Sequence, residues 1–221
     1  MNEEALSRQA MIFGDDLYGK SLAILGVGGI GSNAAHLAAS VGVARLMLID
    51  FDTVAGVNVY PGFFNMQDIG VPKTVATAIE LGTRLDVDIL VEVFADMNQL
   101  RNRDIDIVMV CTDNIESRAE MWHMCKGMDR WFIDGRMGGT ECELYAFRAN
   151  DEESVARYEP TLEGRFSDLP CGMKATAALT KGWLPAMLGQ VFYDISIGRE
   201  PEFKQQYNLG NRMYLKPGVR S

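Results

Sequence analysis

Four glycines, three aspartates, one lysine and one cysteine stand where their types and spacing could do chemistry. The stretch Leu22–Ser32 reads L-A-I-L-G-V-G-G-I-G-S, and Gly26, Gly28 and Gly31 satisfy the G-x-G-x-x-G spacing of a dinucleotide fold, with Gly29 between them. Glycine opens backbone angles closed to other residues and lets main-chain N–H groups approach a phosphate. The other reading of such a stretch is a tight turn with no ligand. Nineteen positions past Gly31, Asp50 ends a second apolar run, and Asp52 follows in D-F-D. A carboxylate there can accept hydrogen bonds from ribose hydroxyls, because ligands of open α/β sheets lie outside the carboxyl ends of the strands. Lys73 falls in a first helical turn, against the helix dipole, which hints at an anionic neighbour. Asp113 and Asn114 close a further strand in C-T-D-N. Cys171 follows Pro170 at a helix start, where the dipole favours a thiolate; the alternative is a small apolar residue at that position.

The elements that must position these groups follow from pattern. A short helix and connector are expected over residues 3–20, a strand over Leu22–Gly26, a helix over Gly29–Val41 and a strand over Arg45–Ile49. Thr53–Val71 is irregular and punctuated by Gly56, Pro61, Gly62 and Gly70, and so long a connection is usually functional. Pro72 opens a helix reaching about Leu85. Strands are expected at Val87–Phe94, Ile105–Cys111 and Trp131–Ile133, with a short helix or turn at Met97–Arg101 and a helix at Ile115–Met128. Glu141–Arg148 alternates as an antiparallel edge strand. Ala149–Pro170 reads as a mobile crossover loop, Cys171–Ile197 as a helix broken near Gly182–Pro185, and the tail 198–221 as irregular, with a strand at Arg212–Leu215. The fold class expected is α/β: a Rossmann-like three-layer fold with a mainly parallel sheet and antiparallel edges. One domain spans residues 1–221, with residues 1–20 as an N-terminal helical arm.

Composition narrows the function classes. A 48% hydrophobic chain of 221 residues can bury a full core. A net charge of −9 argues against a broad nucleic-acid or anionic-membrane surface. The start lacks a signal-peptide pattern, and no run reaches the roughly 18 apolar residues of a membrane span. A soluble cytoplasmic protein is expected. Cys111, Cys125, Cys142 and Cys171 form no C-x-x-C pair, so neither structural zinc nor a disulfide framework is expected. Two histidines, His36 and His123, both inside expected helices, leave little material for a Ser-His-Asp triad.

Taken together, GVGGIGS, DFDTV, Asn58, the I-G-V-P-K segment and C-T-D-N resemble the ThiF/MoeB/HesA family, the adenylation fold shared with ubiquitin-activating enzymes. The resemblance spans about Leu17 to Gly138. It implies an adenylyltransferase using ATP and Mg2+, in which the C-terminal carboxylate of a small ubiquitin-like or sulfur-carrier protein attacks the α-phosphorus to give an acyl-adenylate. It also implies roles: Gly26, Gly28, Gly29 and Gly31 cradle the nucleotide, Asp50 holds the ribose, Asn58 and Lys73 contact phosphates, and Asp113 helps hold magnesium. Asp52 and Asn114 fall within the same binding segments. Arg8, in a segment like the family's N-terminal R-Q, would reach the partner subunit's site in a homodimer, and Cys171 sits near the region where related enzymes carry a sulfur-handling or thioester-forming cysteine. One departure stands out. The family's arginine three positions after the asparagine is Pro61 here, with Arg136 and Lys174 as candidate substitutes. Besides the adenylating enzyme, two readings stay open: a ThiF-like nucleotide- or partner-binding module with weak or lost catalysis, and a nicotinamide-dependent dehydrogenase.

Overall fold

Five consecutive residues, Ser21–Leu25, are buried, as befits a central strand covered on both faces. This strand, β1, lies in a computed structural model that describes residues 12, 19–84, 90–94, 97–100, 103–138, 141–163, 180–208 and 213–215. The remaining strands are β2 (Arg45–Ile49), β3 (Leu90–Phe94), β4 (Ile107–Val110), β5 (Trp131–Gly138), β6 (Glu141–Arg148), β7 (Lys204–Asn208) and β8 (Met213–Leu215). They form one sheet in the order β3-β2-β1-β4-β5-β6-β7-β8. Pairing is parallel from β3 through β5 and antiparallel from β5 to β8. The helices are α1 (Gly29–Ser40), α2 (Lys73–Arg84), α3 (Ile115–Cys125), α4 (Glu152–Tyr158) and α5 (Thr180–Ser196).

Side chains alternate across the sheet and divide the core in two. On one face Leu22, Ile24, Leu46, Leu48 and Met109 meet the alanines of α1 and the apolar stripe of α5. On the other, Ala23, Met47, Val108 and Phe132 meet Met121 and Trp122 of α3 and Tyr158 of α4. The result is a Rossmann-like three-layer α/β fold. Ala34, Ala35, Ala38 and Ala39 are almost wholly buried, and their small size lets α1 lie close to the strands. Among the described residues, no helix is long and apolar enough to cross a membrane.

Several elements differ from their sequence pattern. Residues 152–158, expected within a mobile loop, form α4, because Asp151 Oδ2 accepts the Ser154 N–H at 3.0 Å and Tyr158 is buried among Trp122, Phe132 and Phe147. A 3-10 turn follows over Glu159–Leu162; residues 164–170 of the expected loop lie outside the described residues. Helix α5 is not broken at Pro185. Its buried stripe Leu184, Met187, Leu188, Val191, Phe192 and Ile195 carries the helix through the proline. Strand β5 runs five residues past Ile133, paired with β6 to its end. In the tail, β8 lies within the expected strand, while β7 has no counterpart among the expected elements.

The amino ends of β1 and β4 are pinned by Asp106. Its Oδ2 accepts the Ser21 N–H at 2.8 Å and the Ser21 hydroxyl at 2.9 Å, and Lys20 Nζ lies 3.3 Å from Oδ1. Partial burial opposes ionisation, but the Ser21 donors and the Lys20 charge outweigh it and hold the carboxyl below its ordinary 3.8. A depressed folded-state pKa gives stability present above the unfolded value and lost as pH falls through the folded one. Asp106→Asn is therefore expected to lower stability by only about 1 kcal/mol at pH 7, because solvent screens the part-exposed pair. The difference from wild type should shrink below pH 3.8 in urea melts.

Candidate functional site

Strand β1 sits where the chain first steps out to β2 on one side and later returns to β4 on the other. A crevice opens at the carboxyl ends of strands at such a switch point. The turn leaving β1 fills it. Gly26 has φ +84°, and a Cβ there would meet the Cys111 and Thr112 backbone at 2.9 Å. Gly31, in the first turn of α1, lies so close to β1 that a Cβ would stand 1.9 Å from the Gly26 carbonyl oxygen. Gly28 differs. It is the N-cap of α1, no side chain caps the helix, and a Cβ there meets nothing within 4 Å. The start of this twelve-residue helix thus has no side-chain cap, and the space beside Gly28 is open. This is an anion-attracting arrangement.

Asp50, just past β2, ties this turn to its surroundings. Its Oδ2 accepts the Val27 N–H at 2.7 Å and its Oδ1 accepts the Asp52 N–H at 2.8 Å. Lys73 Nζ lies 2.8 Å from Asp52 Oδ2 and 4.0 Å from Asp50 Oδ2. The Asp50 and Lys73 side chains are 8% and 11% exposed, while Asp52 is 54% exposed. Lys73 reaches this place because the excursion after β2 closes on itself. Val54 and Val71 pair through the Val54 N–H at 2.8 Å, Thr53 bridges Pro72, and the Lys73 N–H donates to the Asp52 carbonyl at 3.0 Å.

Within that excursion Asn58 lies in a single helical turn, Gly56–Val59, and its Oδ1 accepts the Ala55 N–H at 2.8 Å. Its amide NH2 is the part left to donate elsewhere. Pro61 packs over Gly29, and its carbonyl accepts from Asn33 Nδ2 at 3.1 Å. The Phe63 N–H donates to Ser32 Oγ at 2.9 Å, and the Phe63 ring stacks on His36 at 4.2 Å. Ser32 and Asn33, which pattern alone did not single out, thus fasten the excursion to α1. Their polar side chains directly after the last glycine, in a helix otherwise lined with alanine, were the available signal.

Across the crevice, Asp113 is exposed just past β4, and Asn114 caps α3 by accepting the Ser117 N–H at 2.7 Å. Behind them lies a cluster that the sequence did not reveal. Asp134 accepts from Arg118, from Arg136 Nε at 2.7 Å and from the Tyr158 hydroxyl at 2.9 Å. Arg136 is therefore not open at the strand end to replace the family arginine. It is buried, and its terminal nitrogens donate to Thr161. Arg8, Cys171 and Lys174 lie outside the described residues. Burial pushes the thiols of Cys111, Cys125 and Cys142 up to about 12, 11 and 11, so these three are protonated core groups. Among the described residues, no group of three or more His, Cys, Asp or Glu side chains could hold a metal ion.

Sheet order, the switch point at β1 and the glycine turn opening α1 define a Rossmann-like α/β protein with an anion-attracting loop in its crevice. The chain belongs to the ThiF family, whose model matches residues 6–216. Among curated proteins it is similar to ubiquitin-like modifier-activating enzyme 5 of Drosophila melanogaster, 28% identical over 231 aligned residues that cover 90% of this chain and 56% of that protein. The rice protein of the same name is 30% identical over 132 residues, covering 52% of this chain and 31% of its own. The chain thus spans from about a third to just over half of these relatives' length. Among solved structures, E. coli MccB with MccA aligns with TM-score 0.78 at 20% identity, covering all of this chain and 74% of that one. PaaA aligns with TM-score 0.75 at 19% identity, covering 96% and 81%. These likenesses establish the fold.

The two glycines separate by their surroundings. Gly31→Ala must push α1 off the sheet and is expected to cost about 3 kcal/mol or more, a fall of roughly 6–12 °C in melting temperature for a chain of this size. Gly28→Ala meets open space and loses only the N-cap preference of glycine over alanine, so it should cost about 1 kcal/mol or less. Calorimetry on the two variants reads the contrast directly.

Proposed function

We propose that this chain is an ATP-dependent adenylyltransferase that activates the C-terminal carboxylate of a small protein or peptide, of ubiquitin-like or sulfur-carrier type. The observation that carries this reading is Lys73, held beside Asp50, whose Oδ2 also accepts the Val27 N–H of the glycine turn that leads into the uncapped start of α1. Family membership supports it. When bound, ATP would supply the α-phosphoryl group that the carboxylate attacks, with pyrophosphate leaving. Such a displacement needs little covalent help and depends on offsetting charge on the phosphate oxygens.

The chain's own groups would do this as follows. The loop Gly26–Gly31 and the first amides of α1 would take the phosphates, where Gly28 leaves room. Asp50 would accept from ribose hydroxyls with the second lone pair on each oxygen. Lys73 would leave Asp52 for a phosphate, and Asn58 would donate from its amide. The residues also suit magnesium: Asp113 is exposed at the strand end, and one carboxylate is enough when phosphates and water complete the shell. Arg8 would contribute across a homodimer. Phe51, Val57, Tyr60 and Met66 are all exposed on the excursion, an apolar surface that a second copy would cover. Light scattering at micromolar concentration should give twice the 24.5 kDa chain mass; a monomer throughout would overturn this part.

A second reading has one observation in its favour. Pro61 stands where the family carries an arginine, and Arg136 does not replace it, so a nucleotide-binding module with weak catalysis is the rival. ATP–pyrophosphate exchange with candidate carrier proteins separates the two. Exchange by wild type, reduced about a hundredfold or more in Lys73→Ala and Asp113→Ala, is the expected result. ATP binding without exchange would favour the module, and tight NADH binding without ATP binding would favour the dehydrogenase. If Cys171 carries onward transfer, Cys171→Ser should keep exchange and lose the transfer step.

A further inference from the structure

The Asp134 cluster has no part in the chemistry described above, yet it joins three segments that the site depends on. Asp134 is fully buried and Arg118 is 1% exposed. The Arg118 guanidinium donates to Asp134, to the Thr112 carbonyl and, at 3.1 Å, to the Gly135 carbonyl. It therefore bridges the carboxyl end of β4 and the middle of β5. Thr112 immediately precedes Asp113, and its backbone is also what a side chain on Gly26 would strike. One guanidinium thus holds both the turn that presents Asp113 and the floor under the glycine loop. On the far side, Arg136 donates to Asp134 and grips the Thr161 carbonyl at 3.3 Å and hydroxyl at 2.9 Å.

We propose that Arg118 and Asp134 are positioning residues for Asp113, and that their hold depends on the Thr161 turn docked against Arg136. The inference rests on the reading that Asp113 takes part in nucleotide and metal binding. The physical basis is charge balance in a dry site. Two guanidinium groups share the Asp134 carboxylate, so neutral acceptors at Thr112 and Thr161 take up part of their N–H groups. Burial and the Arg136 charge push the Arg118 guanidinium down to about 10, still protonated at neutral pH, and the Asp113 charge works the other way. Thr161 supplies two of the neutral acceptors. Without them Arg136 must find others, Asp134 must re-centre between its partners, and Arg118 is drawn from the Thr112 carbonyl. No residue of the cluster needs to touch the nucleotide for this to matter.

Two mild variants test it. Thr161→Val keeps the shape of the turn and removes one acceptor; Arg118→Lys keeps the charge and removes the bridge. Amide hydrogen exchange should quicken about tenfold in residues 112–118 in both variants, with β1 and β2 unchanged. In ATP–pyrophosphate exchange the magnesium concentration for half-maximal rate should rise at least fivefold, while ATP binding measured without metal stays within twofold. Unchanged exchange at 112–118 in folded variants, or a uniform rise across the sheet, would overturn the proposal. Should Arg118→Lys fail to fold, Thr161→Val decides alone. If wild type shows no ATP-dependent exchange, the adenylation reading fails, and the amide measurement still decides whether the cluster positions the turn.

Discussion

The contact on which the rest depends is the approach of Gly31 to the Gly26 carbonyl. No residue with a Cβ fits between them. Because α1 starts that close to β1, its first amides lie over the strand ends rather than off to one side. The next two residues, Ser32 and Asn33, are then near enough to bind the backbone at Phe63 and Pro61. The four buried alanines that follow keep the helix against the sheet along its length. Loop, excursion and crevice are consequences of one missing side chain.

Electrostatics at this site do not follow from the net charge. The chain is acidic overall, and the crevice adds Asp50, Asp52 and Asp113, with Lys73 beside the first two. Attraction for an anion must come from oriented main-chain dipoles, which composition does not record. Pro61 adds no charge there and needs no N–H for its role: its carbonyl accepts from Asn33, and its ring lies close to Gly29. It is a rigid wall beside the start of α1. Lys73 gains correspondingly in weight, and the closure of the excursion between Thr53 and Pro72 is what delivers it.

Much of this was legible in the sequence because it is local. The glycine spacing, the apolar run of β2, the alternation of β6 and the proline before α2 each carry their meaning within a few residues. What escaped is tertiary. Helix α4, E-E-S-V-A-R-Y, carries little apolar pattern, and the Asp151 cap and the ring cluster around Tyr158 together explain why it folds. Strand β7, K-Q-Q-Y-N, has no apolar period; it forms because β6 offers it an edge, and Gln205 is buried in the process. Asp134 and Arg136 read as a strand end because charges usually stop a buried strand. Arg118, which pairs with Asp134, arrives from a helix sixteen residues earlier, and neighbouring letters cannot announce such a pairing.

The cysteines bear on what can follow activation of a carboxylate. An acyl group passes to a thiolate, and burial keeps the three described thiols protonated. With values near 11 or above, roughly one molecule in ten thousand or fewer would carry the thiolate at neutral pH. Cys111 lies closest to the glycine loop, its backbone against Gly26, and its burial in the core shifts it most strongly of the three. The proposed thiol step is thereby left to Cys171, the one cysteine outside the described residues.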